Sequence, residues 1–375
     1  MINKASDYLN ASGRIVIKLG SALFFDEANK FNQKWLQSFC QDVLLLKKQN
    51  KEIIIVASGA INFGLRKLNR ERDDHDLNLL QAAASIGQIE LIGAFKSILD
   101  DADIPTAQVL LTSDDCDNRR RHLNSLNTMS KLLSENAIPV INENDTVATE
   151  EIKFGDNDRL AAKVAQMISA DILVLFSNIK GLCLIENGQL NEDKIISEIN
   201  RIDQDIENLV LAQKTKGSAG GMKTKIDAAK IATQSGVHMI IADGRSEFPL
   251  SALLNGGECT LFKANTTPLR AKKQWILSAI NIKGEVRIDE GAWHALQNGK
   301  SLLPSGILDC NGSFDKGAIV NIINDHGQII ARGITSYSIA DLKKIKGQQT
   351  SAIHSILGFA ANSEVIHRDN LAIIG

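Results

Sequence analysis

From about residue 14 to residue 264 the chain alternates short, nearly continuous apolar runs with longer stretches in which apolar residues recur every three or four positions. The runs are RIVIKLG (14–20), EIIIVAS (52–58), IPTAQVLLT (104–112), IPVINEND (138–145), DILVLFSN (171–178) and VHMIIAD (237–243). Runs this rich in Ile, Val and Leu, with no polar face, predict strands buried on both sides, the habit of parallel sheets. Between them, FNQKWLQSFCQDVLLLKKQ (31–49) places Trp35, Phe39, Val43 and Leu46 on one helical face, and residues 78–99 and 156–169 carry the same period. KTKIDAAKIATQSG (223–236) ends at a glycine, a helix stop signal. Strand–helix alternation predicts an α/β fold, an open and mostly parallel αβα sandwich. Ligands in such sheets bind beyond the carboxyl ends of the strands. That rule singles out Lys18–Ser21, Ser58–Ala60, Asn142–Asp145 and Ser177–Gly181.

Beyond about residue 265 the pattern changes to short strands punctuated by glycine, and AIVNIINDHGQIIARGI predicts a hairpin turning at Asp325-His326-Gly327. The expected division is a first domain over 1–264, a linker over 265–280 and a small β-rich domain over 281–375. A length of 375 residues accommodates both. Hydrophobic residues make up 44% of the chain and charged residues 23%, a soluble globular balance. The net charge of -2 steers the chain neither to nucleic acid nor to a membrane surface. Five scattered cysteines without a CxxC pair argue against a zinc or dithiol site. With no apolar signal core at the N-terminus and no run of about 18 apolar residues, the expected location is cytoplasmic.

The chemistry has to be sought without the familiar nucleotide fingerprints. GxxxxGK[ST] and GxGxxG are both absent. KGSAGGMKTKIDAA (216–229) instead combines Gly217, Gly220 and Gly221 with Lys216, Lys223 and Lys225 ahead of a helix. Glycines let backbone N–H groups approach an anion, and a helix N-terminus adds positive potential. A flexible loop with solvated lysines explains the same letters. IKLGSALF sets Lys18 at the end of a buried strand, costly without a partner unless it snorkels at the sheet edge. VASGAINFG repeats the strand-end glycine with Ser58 and Gly59.

The stretch NENDTVATEEIKFGDNDRLAA (142–162) crowds Glu143, Asp145, Glu150, Glu151, Asp156 and Asp158 between two apolar runs. A solvated loop is one reading, a site for a metal ion or cationic ligand another. Residues TEEIKF suit a short hairpin arm carrying Lys153, and Asp156 or Asn157 suits a helix cap. Asp145 suits a substrate ammonium, Asn157 its carboxylate, and Asp158, one residue into the helix, suits a lysine.

Taken together, VIKLGSALF, IVASGAINFG, IPVINENDTVATEEIKFGDNDRLAA, the KGL after the fifth strand and GGMKTKIDAAKIA resemble the glutamate 5-kinase family, a branch of the amino acid kinases. GEVRIDEGA, SLLPSGI, GSFDKG and VIHRDNL resemble the PUA domain appended to bacterial members. The resemblance spans nearly the whole chain. It implies an amino acid kinase fold followed by a PUA domain, and ATP- and Mg2+-dependent phosphorylation of the side-chain carboxylate of L-glutamate on the way to proline. It also implies proline as feedback inhibitor and a homo-oligomer, dimer or tetramer. By the same resemblance Lys18 and Lys225 are catalytic, with Asp158 organising them. Ser58, Asp145 and Asn157 bind glutamate. Lys18, Ser177, Asn178 and the loop Ala219, Gly220, Gly221, Met222, Lys223, Thr224 and Lys225 bind the nucleotide. Many members have Thr-Asp where this chain has Ser177-Asn178, and Thr where it has Ala219, so the departures fall on the nucleotide side.

The chemistry fits the absence of an outstanding His or Cys. A carboxylate is already a nucleophile at neutral pH, and phosphoryl transfer asks the protein for positioning and charge neutralisation. Two alternatives stand beside this reading: an amino acid kinase with another acceptor, of the acetylglutamate or aspartate type, and an RNA-binding PUA protein. Against RNA, residues 281–375 carry nine Lys and Arg and nine Asp and Glu, with no basic surplus.

Overall fold

The computed structural model of the chain describes residues 4–26, 30–147, 156–186, 189–213, 221–280, 282–358 and 362–374. Contacts divide it into two compact units, Met1–Asn118 with Asn124–Pro268, and Arg119–Leu123 with Leu269–Gly375.

The first unit is organised by its strands β1 (Arg14–Leu19), β2 (Glu52–Ala57), β3 (Thr106–Leu111), β4 (Ile138–Glu143), β5 (Ile172–Ser177), β6 (Cys183–Glu186), β7 (Gln189–Ile195), β8 (Glu198–Ile199), β9 (His238–Asp243) and β10 (Cys259–Phe262). Eight of them form one sheet in the order β3-β4-β2-β1-β5-β9-β10-β8, while β6 and β7 pair separately as a hairpin. The sheet is parallel from β3 to β9, and β10 runs antiparallel to β9. All six expected strands are present, and the central ones are buried apart from the half-buried first residues of β1 and β2. Strand β3 differs: it sits at the sheet edge and is half exposed, so its apolar run is not a core strand.

The helices are α1 (Lys4–Ala11), α2 (Gln33–Lys48), α3 (Ala60–Lys67), α4 (Leu77–Asp100), α5 (Ser113–Asp117), α6 (Arg119–Ser134), α7 (Asp156–Met167), α8 (Gln204–Gln213), α9 (Gly221–Gln234) and α10 (Pro249–Leu254). The strand period of two separates two cores. Ile15, Ile17 and Leu19 face Trp35, Phe39, Phe95 and Leu250 from α2, α4 and α10. Val16 faces the opposite layer, with Ala161, Ala165 and Ala229 from α7 and α9. Alanines along α7 and α9 let both helices lie close to the sheet and to each other. Helix α4 is long and apolar enough to cross a membrane by length and composition, but its face of Leu80, Ala84, Leu91, Phe95 and Leu99 is buried in the fold.

One buried carboxylate ties α2 to α10 within their layer. Asp42 on α2 accepts from the backbone N–H groups of Leu250 (2.9 Å) and Ser251 (3.0 Å) and from the Ser251 hydroxyl, capping the first turn of α10. Asp42→Ala removes the cap and strands two backbone donors, so denaturant titration should show a loss of about 2 kcal/mol.

In the second unit, β11 (Gly284–Ile288), β12 (Ile307–Gly312), β13 (Ile319–Ile323), β14 (Ile329–Ile334) and β15 (Leu371–Ile373) form a sheet in the order β12-β11-β13-β14-β15. The expected hairpin is β13–β14: Gly327 has φ 75°, and the Asn324 side chain accepts from the His326 and Gln328 N–H groups. Val286, Val320, Ile322 and Leu342 centre its core. Within the span expected as linker, Pro268–Ser278 forms helix α11, begun by a proline at its first position.

Candidate active site

Topology brings four strand ends together, because β4, β2, β1 and β5 are neighbours and run in one direction. Gly20 donates to the Phe176 carbonyl (3.1 Å), tying the end of β1 to that of β5. The Ser58 backbone N–H (3.2 Å) and hydroxyl (2.9 Å) both donate to the Leu19 carbonyl, tying β2 to β1. Gly59 then enters α3 with φ 112°, a left-handed conformation that other residues reach only with strain. A Cβ there would also press on Ser21 at 3.3 Å.

Lys18 alternates with Ile17 and Leu19, so the pleat turns it toward α7 and α9. There its ammonium lies 2.6 Å from Asp158 Oδ1, and the Lys225 ammonium lies 3.0 Å from Asp158 Oδ2. Thr224 Oγ1 donates to the same Oδ2 at 3.0 Å. Asp158 is 0% exposed, Lys18 6% and Lys225 8%. Burial alone would push the Asp158 carboxyl up, but the two ammonium groups hold it below the ordinary carboxylate range. Burial also pulls Lys225 down, with Asp158 opposing and Lys18 reinforcing. Two cations against one anion leave a surplus positive charge in a dry setting. Buried charge of this kind is costly unless an anionic ligand completes it.

Helix α7 begins at Asp156, so Asn157 and Asp158 both lie in its first turn and its cap falls outside the described residues. So do Glu150, Glu151 and Lys153 of the expected arm. Asn142, at the end of β4, donates through Nδ2 to Gln88 Oε1 of α4 at 2.7 Å. Asn157 Nδ2 makes a long contact, 3.5 Å, to Asn142 Oδ1, which leaves Asn157 Oδ1 buried and without a hydrogen-bond partner. As placed, the atom of Asn157 left without a partner is its oxygen, an acceptor, where the sequence reading has Asn157 hold a substrate carboxylate. Asp145, two residues past β4, has its carboxyl pushed up by burial, against the pull of Arg72, to about 6.

On the other side of Lys18, Ser177 ends β5 with its hydroxyl buried and unpartnered. Asn178 follows it and is exposed. Helix α9 starts at Gly221. Gly221 and Lys223 are exposed at its N-terminus, and Met222 packs against the α7–α9 core. Ala219, Gly220 and Lys216 lie outside the described residues. Among the described residues, no group of three or more His, Cys, Asp and Glu is placed to hold a metal ion. Sequence reasoning missed Gln88 and did not assign Thr224 to Asp158. A glutamine in an amphipathic helix reads as a solvent-facing residue, and the Thr224 contact spans residues far apart in the chain.

Comparison with known proteins completes the picture. Residues 13–243 match the amino acid kinase family and residues 284–357 the PUA domain. The glutamate 5-kinase of Nitrobacter hamburgensis is 44% identical over 370 residues, covering 98% of this chain and 97% of its own. That of Pelagibacter ubique is 44% identical over 364 residues, covering 97% and 99%. Among solved structures, carbamate kinase from Giardia aligns over 68% of this chain and 100% of its own, at 16% identity and a TM-score of 0.48. With a family match over most of the first unit and full-length relatives at this identity, the chain belongs to the amino acid kinase family, in its glutamate 5-kinase branch, and carries a C-terminal PUA domain.

Proposed function

We propose that the chain transfers the γ-phosphoryl group of ATP to the side-chain carboxylate of L-glutamate, giving L-glutamyl 5-phosphate and ADP, the first step of proline biosynthesis. The observation that carries the phosphoryl-transfer reading is the buried Lys18–Asp158–Lys225 cluster at the carboxyl edge of the sheet. The names of the full-length relatives narrow the acceptor to glutamate. A carboxylate oxygen of glutamate attacks the γ-phosphorus in line, the bond to the β–γ bridging oxygen breaks, and ADP leaves with that electron pair. No proton has to be removed from the nucleophile, so no general base is needed. The two ammonium groups offset the charge of two anions brought together and of the oxygens of the transferring group.

The nucleotide-side residues fit ATP: a buried hydroxyl without a partner at Ser177, the start of α9, and Lys225. Mg2+ is taken to arrive with the phosphates. Such ions use one or two carboxylates besides phosphate oxygens and keep several waters, so a protein cage is not required. The family resemblance makes proline the expected feedback inhibitor, a homo-oligomer the expected assembly and the cytoplasm the expected location. Assaying ADP release with glutamate, N-acetylglutamate, aspartate and UMP side by side tests the acceptor. Turnover confined to glutamate, and reduced by proline, is the expected outcome.

Asp145 gives the acceptor site a pH signature. With its carboxyl at about 6, it is neutral below that pH and charged above it. A substrate ammonium needs the charged form, so KM for glutamate should rise as pH falls through about 6, while KM for ATP stays level. The empty enzyme has the opposite dependence: a raised carboxyl pKa contributes stability below the unfolded value and loses it as pH rises through 6. Asp145→Asn should abolish the pH limb and raise KM for glutamate roughly 10- to 100-fold. Steady-state kinetics from pH 5 to 8 would show both, and an unchanged KM would remove Asp145 from the site.

A further inference from the structure

We infer that Gln88 is an acceptor-binding residue whose carboxamide nitrogen donates to the α-carboxylate of the amino acid substrate. The inference rests on the reading of the site as one for glutamate, and deepens it. Gln88 is 8% exposed. Its Oε1 is engaged by Asn142, but its Nε2 is buried and has no hydrogen-bond partner. A buried amide donor without a partner is destabilising, and native proteins rarely keep one without a use for it.

The position of Gln88 is held by the backbone. A Cβ at Gly87 would overlap the Ala60 carbonyl oxygen, and one at Gly64 would overlap that of Ala83. Helices α3 and α4 therefore touch backbone to backbone, and Gln88 is pinned beside the start of α3, directly after Ser58 and Gly59. Its other neighbour, Asn142, leads on to Asn157, whose Oδ1 is likewise buried and unpartnered. The three carboxamides form a chain with a spare donor at the Gln88 end and a spare acceptor at the Asn157 end. A zwitterionic α-amino acid is the complement of that pair: a carboxylate to accept at Gln88, an ammonium to donate at Asn157 with Asp145 nearby in sequence. An acceptor acylated on its amine lacks the ammonium and matches only one end.

Gln88→Glu separates binding from support. It keeps the oxygen that Asn142 uses and replaces the free N–H₂ with a second oxygen. With the full-length enzyme, ATP and L-glutamate, Gln88→Glu should raise KM for glutamate about 30-fold and Gln88→Met about 10-fold, with kcat within about threefold and KM for ATP unchanged. A residue that only positioned Asn142 would leave KM in Gln88→Glu near wild type. An increase under about threefold in Gln88→Glu, or a rise shared equally by ATP, overturns the inference. If Gln88→Met fails to fold, Gln88→Glu decides alone, since it preserves shape. A wild-type enzyme that does not turn over glutamate overturns the proposed function instead. The same variants are then read with the acceptor that is turned over, and an acceptor without an α-carboxylate whose KM shifts equally also overturns the role of Gln88.

Discussion

Lys225→Met, and separately Lys18→Met, should lower kcat for glutamate-dependent ADP formation by roughly 100- to 1000-fold, while KM for glutamate changes by less than about tenfold. The asymmetry follows from where charge develops. Both ammonium groups meet at one carboxylate, 2.6 and 3.0 Å from its two oxygens, and the acceptor-side amides lie on α4, β4 and the start of α7. In the proposed reaction, loss of either lysine leaves the acceptor contacts in place but removes a donor from the transferring group. Met keeps the length of the side chain, so the packing of α9 against α7 survives. Initial-rate kinetics in both substrates check the split, and an unchanged kcat in both variants would remove the lysines from the reaction.

Asp158→Asn should cost about 3–5 kcal/mol of stability and most of the activity, because it leaves two buried ammonium groups facing each other without their counter-charge. Stability loss alone would fit a merely structural residue, so the informative readout is the pH profile. Burial holds Lys225 below its ordinary value and Asp158 is the group that raises it. Removing Asp158 should therefore move the alkaline limb of the kcat profile to lower pH, as Lys225 loses its proton more readily. An alkaline limb at the wild-type position would show that Asp158 does not tune the lysines.

Much of this was legible in the sequence, for identifiable reasons. Lys18 stood out as a cation interrupting the apolar run that follows Arg14 in β1, and the period of two gave the face it must take. The strand ends of β1, β2, β4 and β5 were legible as a common edge because parallel strands place their carboxyl ends together. The pairing of Lys18 and Lys225 through Asp158 was readable only by resemblance, since nothing local in VIKLG or GGMKTKID names its partner. Gln88 was not legible at all. Its placement depends on two glycines that let α3 and α4 touch, and a helix period carries no information on which neighbour the helix meets. The segment 265–280 reads as linker because it is polar and proline-bearing, yet Pro268 starts a helix there, where its missing N–H costs nothing. The edge position of β3 was likewise hidden, because an apolar run does not report how many neighbours its strand has.

The central claim is that the carboxylate of glutamate, and no other acceptor, receives the phosphoryl group within this site. Trapping the acyl phosphate with hydroxylamine tests it most directly. The account predicts γ-glutamyl hydroxamate that depends on both ATP and L-glutamate and is lost in Lys225→Met. Hydroxamate formed equally well by Lys225→Met, or none formed from glutamate while another acceptor is phosphorylated, would contradict it.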